Sequence, residues 1–168
     1  MAQHHPAGFA RHDHGQCVST ALQAAEAACQ ARGVQFTPVR RRVLEILAEA
    51  HAAMGAYDVL ARLDREGLGS QPPVAYRALS FLVDQGFAHR IERLNAFVAC
   101  AHPGENSGSG HSPIFMICRA CGTVAEAEAD LGGPLGGQAA LTGFRIEQTV
   151  VEAQGLCPDC QVPDMVLA

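Results

Sequence analysis

From Thr37 to Gly86 the apolar residues recur at three- and four-residue intervals, and beyond Gly86 they fall into short extended stretches. The first rhythm belongs to helices with one buried face, the second to strands. Thr37-Pro38 offers an N-cap followed by proline at the first helical position. The helix it opens carries Val39, Val43, Leu44, Ile46 and Leu47 on one face. A second helix is predicted from about Ala56, with Val59, Leu60 and Leu63 inward and a stop near Gly67-Leu68-Gly69. A third begins at Pro72-Pro73, shows Val74, Leu79, Leu82 and Val83, and ends at Gly86. Upstream, residues 18–32 are helical in composition and end at Gly33, a C-terminal stop.

Phe87 to Ile91 and Ala96 to Ala99 flank Glu92 to Asn95 as a predicted hairpin. Three compact helices followed by a hairpin outline a winged helix-turn-helix. A Gly/Ser-rich stretch, Pro103 to Ser112, then marks a boundary or flexible lid. Beyond it the pattern predicts a strand (Ile114 to Ile117), a turn (Arg119 to Gly122) and a strand (Thr123 to Ala127). A short helix or loop around Leu131 to Leu141 and a strand from Phe144 to Ala153 lead to the last Cys pair. The expected fold class is therefore α+β. Residues 1–17 form a disordered tail containing His4, His5, His12 and His14; 18–101 form the winged-helix domain; 102–112 form a hinge loop; and 113–168 form a small α/β domain.

Composition narrows the class. A chain of 168 residues suits one domain or two small ones, and 48% hydrophobic content suffices for a core. With 5% aromatics and no Trp, that core is packed from Ala, Leu and Val. No run approaches the roughly 18 apolar residues of a membrane span, and Met1 to Gly15 is polar, unlike a secretory signal. A cytosolic protein with no membrane partner is expected, and there seven Cys read as thiols and metal ligands rather than disulfides. The net charge of −5 conceals an asymmetry. From Gln30 to Asn95 nine Arg face seven acids, a net of +2, whereas from Ala96 onward two Arg face eight acids, a net of −6. Basic charge thus collects where a winged helix would meet phosphate.

Cys118/Cys121 and Cys157/Cys160 are matched Cys-x-x-Cys pairs separated by 35 residues. Each can fold as a tight knuckle, and two knuckles complete a tetrahedron of thiolates about 2.3 Å from one zinc. Gly122 and Pro158 supply the turn residues. The long intervening segment implies that the metal pins the C-terminal end back onto the first strand pair. Four thiolates leave no open position, which points to a structural zinc rather than a catalytic one. The competing reading is a redox-active pair or unrelated buried thiols.

Several strings together resemble the ferric uptake regulator family. Thr37-Pro38-Val39-Arg40, Val43-Leu44, Ala56-Tyr57-Asp58-Val59-Leu60 and Pro73-Val74-Ala75-Tyr76-Arg77-Ala78-Leu79 resemble its DNA-binding half. Gly86 to Glu92 and Ala96-Phe97-Val98-Ala99-Cys100 resemble the wing of the zinc uptake regulator branch. Ile117-Cys118, Cys121-Gly122, Val124, Glu126 and Gly155-Leu156-Cys157 extend the resemblance into the dimerisation half, so that it spans about residues 32–160. It implies a homodimer on pseudo-palindromic double-stranded operator DNA, repressing zinc-uptake genes. The helix from Pro73 would enter the major groove with Tyr76 and Arg77 near base edges, where Arg pairs with guanine O6/N7. Tyr57 would contact phosphate or a thymine methyl; Arg40, Arg41 and Arg42 would contact phosphate or simply be exposed.

The resemblance also implies a regulatory zinc held by His89, Cys100, His111 and Glu126, giving two zinc ions per chain. Imidazole, thiolate and carboxylate suit four-coordinate zinc. His102 competes with His111 for its place, and Glu128 with Glu126. The absence of a His-rich string after the wing favours zinc over ferrous iron. Alternatives remain: the same fold sensing iron, manganese, nickel or peroxide, or a zinc-stabilised interaction module or small zinc enzyme. No substrate-pocket motif supports the enzyme. Cys17 and Cys29 have no evident partner.

Overall fold

The computed structural model describes residues 14–50, 52–101, 113–128, 132–147 and 149–161. Thr37 opens α2 (Pro38–Glu49) as expected, its hydroxyl accepting from the Arg40 N–H. That helix packs with α3 (Ala56–Arg65) and α4 (Pro72–Asp84) around Val43, Ile46, Leu63, Leu79 and Leu82, all fully buried. α1 (His14–Arg32) covers this bundle with Leu22, Ala25 and Cys29. It starts four residues before the expected Val18 and stops at Gly33, whose φ of +66° lies in the left-handed region. The α3–α4 turn depends on Gly69. Its φ is +138°, and a Cβ there would sit 2.9 Å from a Val74 methyl carbon.

β1 (Ala88–Ile91) and β2 (Ala96–Ala99) form the wing, antiparallel with His89 opposite Val98 and Ile91 opposite Ala96. A single 3-10 turn, Glu92–Leu94, and Asn95 in the left-handed conformation close the hairpin. A second sheet has the order β4-β3-β5, from β3 (Pro113–Cys118), β4 (Val124–Glu128) and β5 (Val151–Gly155). β3 pairs antiparallel with β4 and parallel with β5, and α5 (Gly132–Thr142) lies between β4 and β5 in the chain. The expected strand from Phe144 is shorter than its pattern suggests. Phe144 and Ile146 alternate as strand residues do, yet both are exposed, and pairing begins only at Val151.

The two halves meet through the wing. Phe87, Ala88 and Phe97 join the helical core, while Ile91 and Val98 join a second cluster with Phe115, Ile117 and Val124. The α2–α3 connection adds Ala53 to that cluster. Met54 exchanges backbone hydrogen bonds of 2.8 and 2.9 Å with Phe97, and Ala52 bridges Thr123. Among the described residues no helix is long and apolar enough to cross a membrane. Phe115, 1% exposed, is the largest side chain in the joint. Replacing it with alanine is expected to lower stability by about 3–5 kcal/mol, the cost of an aromatic cavity that cannot collapse. A urea titration reads this, and a loss below about 1 kcal/mol would mean that the joint relaxes freely.

Candidate metal centres

Cys118 closes β3 and Cys121 follows one tight turn later. Gly122, with φ of +76°, donates its N–H to the Cys118 carbonyl at 2.9 Å and closes the knuckle. The parallel pairing of β5 with β3 sets Gly155 opposite Cys118, so the chain delivers Cys157 directly beside it. A 3-10 turn (Pro158–Cys160) then brings round the last thiol. The four sulfurs lie within 4.8 Å of one another, and Cys121 Sγ is 3.7 Å from Cys157 Sγ. A tetrahedron with metal–sulfur bonds of about 2.3 Å has edges of about 3.8 Å, so the donor set fits a zinc-sized ion.

The thiols are electrostatically unequal. The Cys157 N–H, donating to Cys118 Sγ at 3.3 Å, is the chief influence holding that thiol down to about 6. The Thr123 hydroxyl, 3.2 Å from Cys121 Sγ, lowers that one too. Cys157 is raised by burial, and Cys160 is pushed up to about 12, first by Cys157 and then by Cys121. Several thiolates crowded together repel, and a shared dication removes that repulsion by taking the place of the protons. Thr123 escaped the sequence reading; its one signal is its position beside Gly122 in the knuckle.

The second cluster unites His89 on β1, Cys100 just past β2 and Glu126 on β4, their ligand atoms also within 4.8 Å of one another. His89 Nε2 is 3.2 Å from Glu126 Oε1, and Cys100 Sγ is 3.9 Å from the same oxygen. The Ala101 N–H donates to Glu126 Oε2 at 2.9 Å and fixes the carboxylate. Glu126 is only 4% exposed, a depth at which a carboxylate needs a charged partner. Phe115 lies against the His89 ring, centroids 5.2 Å apart. An imidazole, a thiolate and a carboxylate from both halves thus converge on one point, a donor set suited to zinc with one tetrahedral corner left for another ligand. His111 and its competitor His102 lie outside the described residues, as does the side chain of Glu128.

No protein-family model matches the chain. It is 38% identical over 143 residues to the zinc uptake regulation protein of Escherichia coli (strain K12), covering 83% of this chain and 80% of that one. The chain belongs to the ferric uptake regulator family, in its zinc uptake regulator branch. Among solved structures, a zinc uptake regulator complexed with zinc and DNA aligns at 37% identity with a TM-score of 0.79, covering 85% of this chain and 94% of that one. Holo XcZur aligns at 38% identity with a TM-score of 0.75, covering 85% and 97%. The α+β winged-helix architecture expected from the sequence is the fold of these regulators.

On the regulator's α4, Tyr76, Arg77 and Ser80 share an exposed face. Tyr76 is 44% exposed and Tyr57, at the start of α3, 68%, and their rings pack edge to face with centroids 6.5 Å apart. Ser80 was not singled out from the sequence, although four-residue spacing from Tyr76 carries it. The three consecutive arginines of α2 prove to be engaged within the fold. Arg40 lies 3.6 Å over the Phe81 ring and donates to the Gln35 carbonyl, while Arg41 pairs with Glu26 and Glu45. Arg42 makes a forked contact with Glu66 at 2.7 and 2.8 Å and also bonds Glu45 and Glu49. Cys29 is buried in the helical core, where burial pushes its thiol up.

Proposed function

We propose that the protein is a zinc-responsive transcriptional repressor that binds operator DNA as a zinc-loaded homodimer and represses zinc-uptake genes. The observation that carries this reading is the convergence of His89, Cys100 and Glu126 across the joint between wing and sheet, in a member of the zinc uptake regulator branch. Its relatives are regulators, not enzymes, and one of them is a regulator in complex with zinc and DNA.

Two zinc ions per chain are assigned. Cys118, Cys121, Cys157 and Cys160 hold the structural ion, whose closed thiolate tetrahedron ties β5 to β3. His89, Cys100 and Glu126 hold the regulatory ion, with His111 as the fourth ligand. Zinc there supplies a cation that the buried Glu126 carboxylate shares with the base of the wing. Binding thereby favours the arrangement in which wing and sheet are closed, and shifts the population towards it. Homodimerisation is assigned to the second half, where Leu135, Leu141, Phe144 and Ile146 are exposed apolar residues. α4 enters the major groove, Arg77 reading guanine, Tyr76 beside it and Tyr57 at the flank. The setting is the cytoplasm, where operator DNA and a reducing pool of thiols coexist.

Three variants test these assignments against a short fluorescent operator duplex titrated with and without zinc. Arg77→Ala is expected to weaken binding about tenfold or more with zinc content unchanged, the scale of one bidentate base contact. An unchanged affinity would remove Arg77 from the interface. Cys100→Ser is expected to keep the chelation-resistant zinc while losing zinc-dependent DNA binding; normal repression in zinc-replete cells would show the regulatory site misassigned. Cys118→Ser is expected to lose the zinc that survives mild chelation. A folded variant retaining that metal, measured by elemental analysis, rules out the four-thiolate clamp.

A further inference from the structure

Phe115 occupies the middle of one row across the second sheet, paired with Glu126 on β4 and with Glu152 on β5. Residues paired in register project from the same face of a sheet. Phe115 is buried against the wing, so both carboxylates project towards the wing as well. Glu126 reaches the wing's base at Ala101, His89 and Cys100. Glu152 reaches the other end: its Oε1 accepts the Glu92 N–H at 2.7 Å and its Oε2 the Arg93 N–H at 3.0 Å. These are the two leading amides of the 3-10 turn that closes the hairpin, and such a turn leaves its first donors without partners of its own. One carboxylate satisfies both with charge-assisted bonds.

We propose that Glu152 is a positioning residue for DNA binding, the metal-independent half of a two-point grip on the wing whose metal-dependent half is Glu126. Bonding both carboxylate oxygens to successive amides fixes the wing tip in direction as well as in distance. The tip carries Arg93, whose side chain is exposed. Zinc closes the base of the hairpin, and Glu152 ensures that the closed base and the tip turn as one body. Because β5 runs on into Cys157, the same strand links the structural zinc site to the wing tip.

The inference rests on the reading of the protein as a DNA-binding regulator, and the test separates the two. The zinc-loaded full-length protein, Glu152→Ala and Glu152→Gln are compared by zinc content, by hydrogen exchange at the Glu92 and Arg93 amides, and by titration of an operator duplex over a range of salt. Zinc content is expected to stay unchanged in all three. In Glu152→Ala the two amides are expected to exchange about tenfold faster or more, and operator affinity at saturating zinc to fall about tenfold, the scale of lost charged hydrogen bonds. Glu152→Gln retains one carbonyl acceptor and is expected to fall between. The slope of affinity against salt is expected to hold, since Glu152 touches no phosphate. Unchanged exchange at Glu92 and Arg93 would overturn the grip itself. Faster exchange with equal or tighter DNA binding would overturn the positioning role, because Glu152 would then merely occupy amides that phosphate can use. Failure of the unmodified protein to bind the duplex would instead count against the regulator reading, while the exchange measurement still judges the contact.

Discussion

Two strands of four residues cannot hold a hairpin together in water, and the wing exists only because both of its faces are covered. Phe97 points into the helical core and Val98, its neighbour in the chain, into the cluster around Phe115. The wing is therefore a wall shared by two cores. Any rotation of one half against the other must lift Ile91 and Val98 from Phe115 and Ile117 and expose apolar surface. Wing conformation and the relative orientation of the halves are in this way a single variable. That coupling gives a ligand bound at the base of the wing leverage over a helix far from it.

Glu126 sets the sign of that leverage. A carboxylate buried to this depth is stabilised only by donors and positive charge; the Ala101 N–H donates to one oxygen, and His89 and Cys100 stand at the other. On the proposed reading, a cation shared with His89 and Cys100 contributes directly to the free energy of the closed joint. Glu152, half-buried at the other end of the same row, has its bonds satisfied by backbone amides and depends on no ion. One row of the sheet thus carries a conditional contact and a standing one. On that reading the standing contact holds the wing tip whether or not the ion is bound, and the conditional one decides whether the closed state prevails.

Where function follows from local spacing, the sequence was legible. Thr37-Pro38 marks the start of α2, the Cys-x-x-Cys pairs mark the knuckles, and the apolar rhythm of α2 to α4 marks the helical core. The wing strands were visible only as short apolar runs, because Ala96, Phe97 and Val98 are buried in succession and polar alternation disappears when both faces are covered. Phe144 and Ile146 carry the period of a strand, but exposure rather than pairing is what the described residues give them. Least legible were contacts made across the chain. Nothing about Glu152 distinguishes it from a solvated acid until β5 is laid beside β3, some 60 residues from the amides it binds. The chief partner of Arg42 was hidden for the same reason, since Glu66 lies 24 residues away.

That last point changes how the protein can hold DNA. With Arg40 over Phe81, Arg41 on Glu26 and Arg42 forked to Glu66, the basic run of α2 braces α1, α3 and α4 in the DNA-free protein. Moving any of these cations to a phosphate would exchange one partner for another, which offsets part of the electrostatic gain, although each partly exposed pair is itself worth little. The favourable charge of the first half is then carried by fewer free groups than its composition suggests, Arg77 on α4 and Arg93 on the wing tip being exposed. A binder with few phosphate contacts depends heavily on where those few are held. On the proposed reading, placement of the wing tip by Glu152 and of α4 by Arg40, stacked on Phe81, matters more here than it would in a strongly basic protein, and a chain with a net charge of −5 can still be selective for DNA.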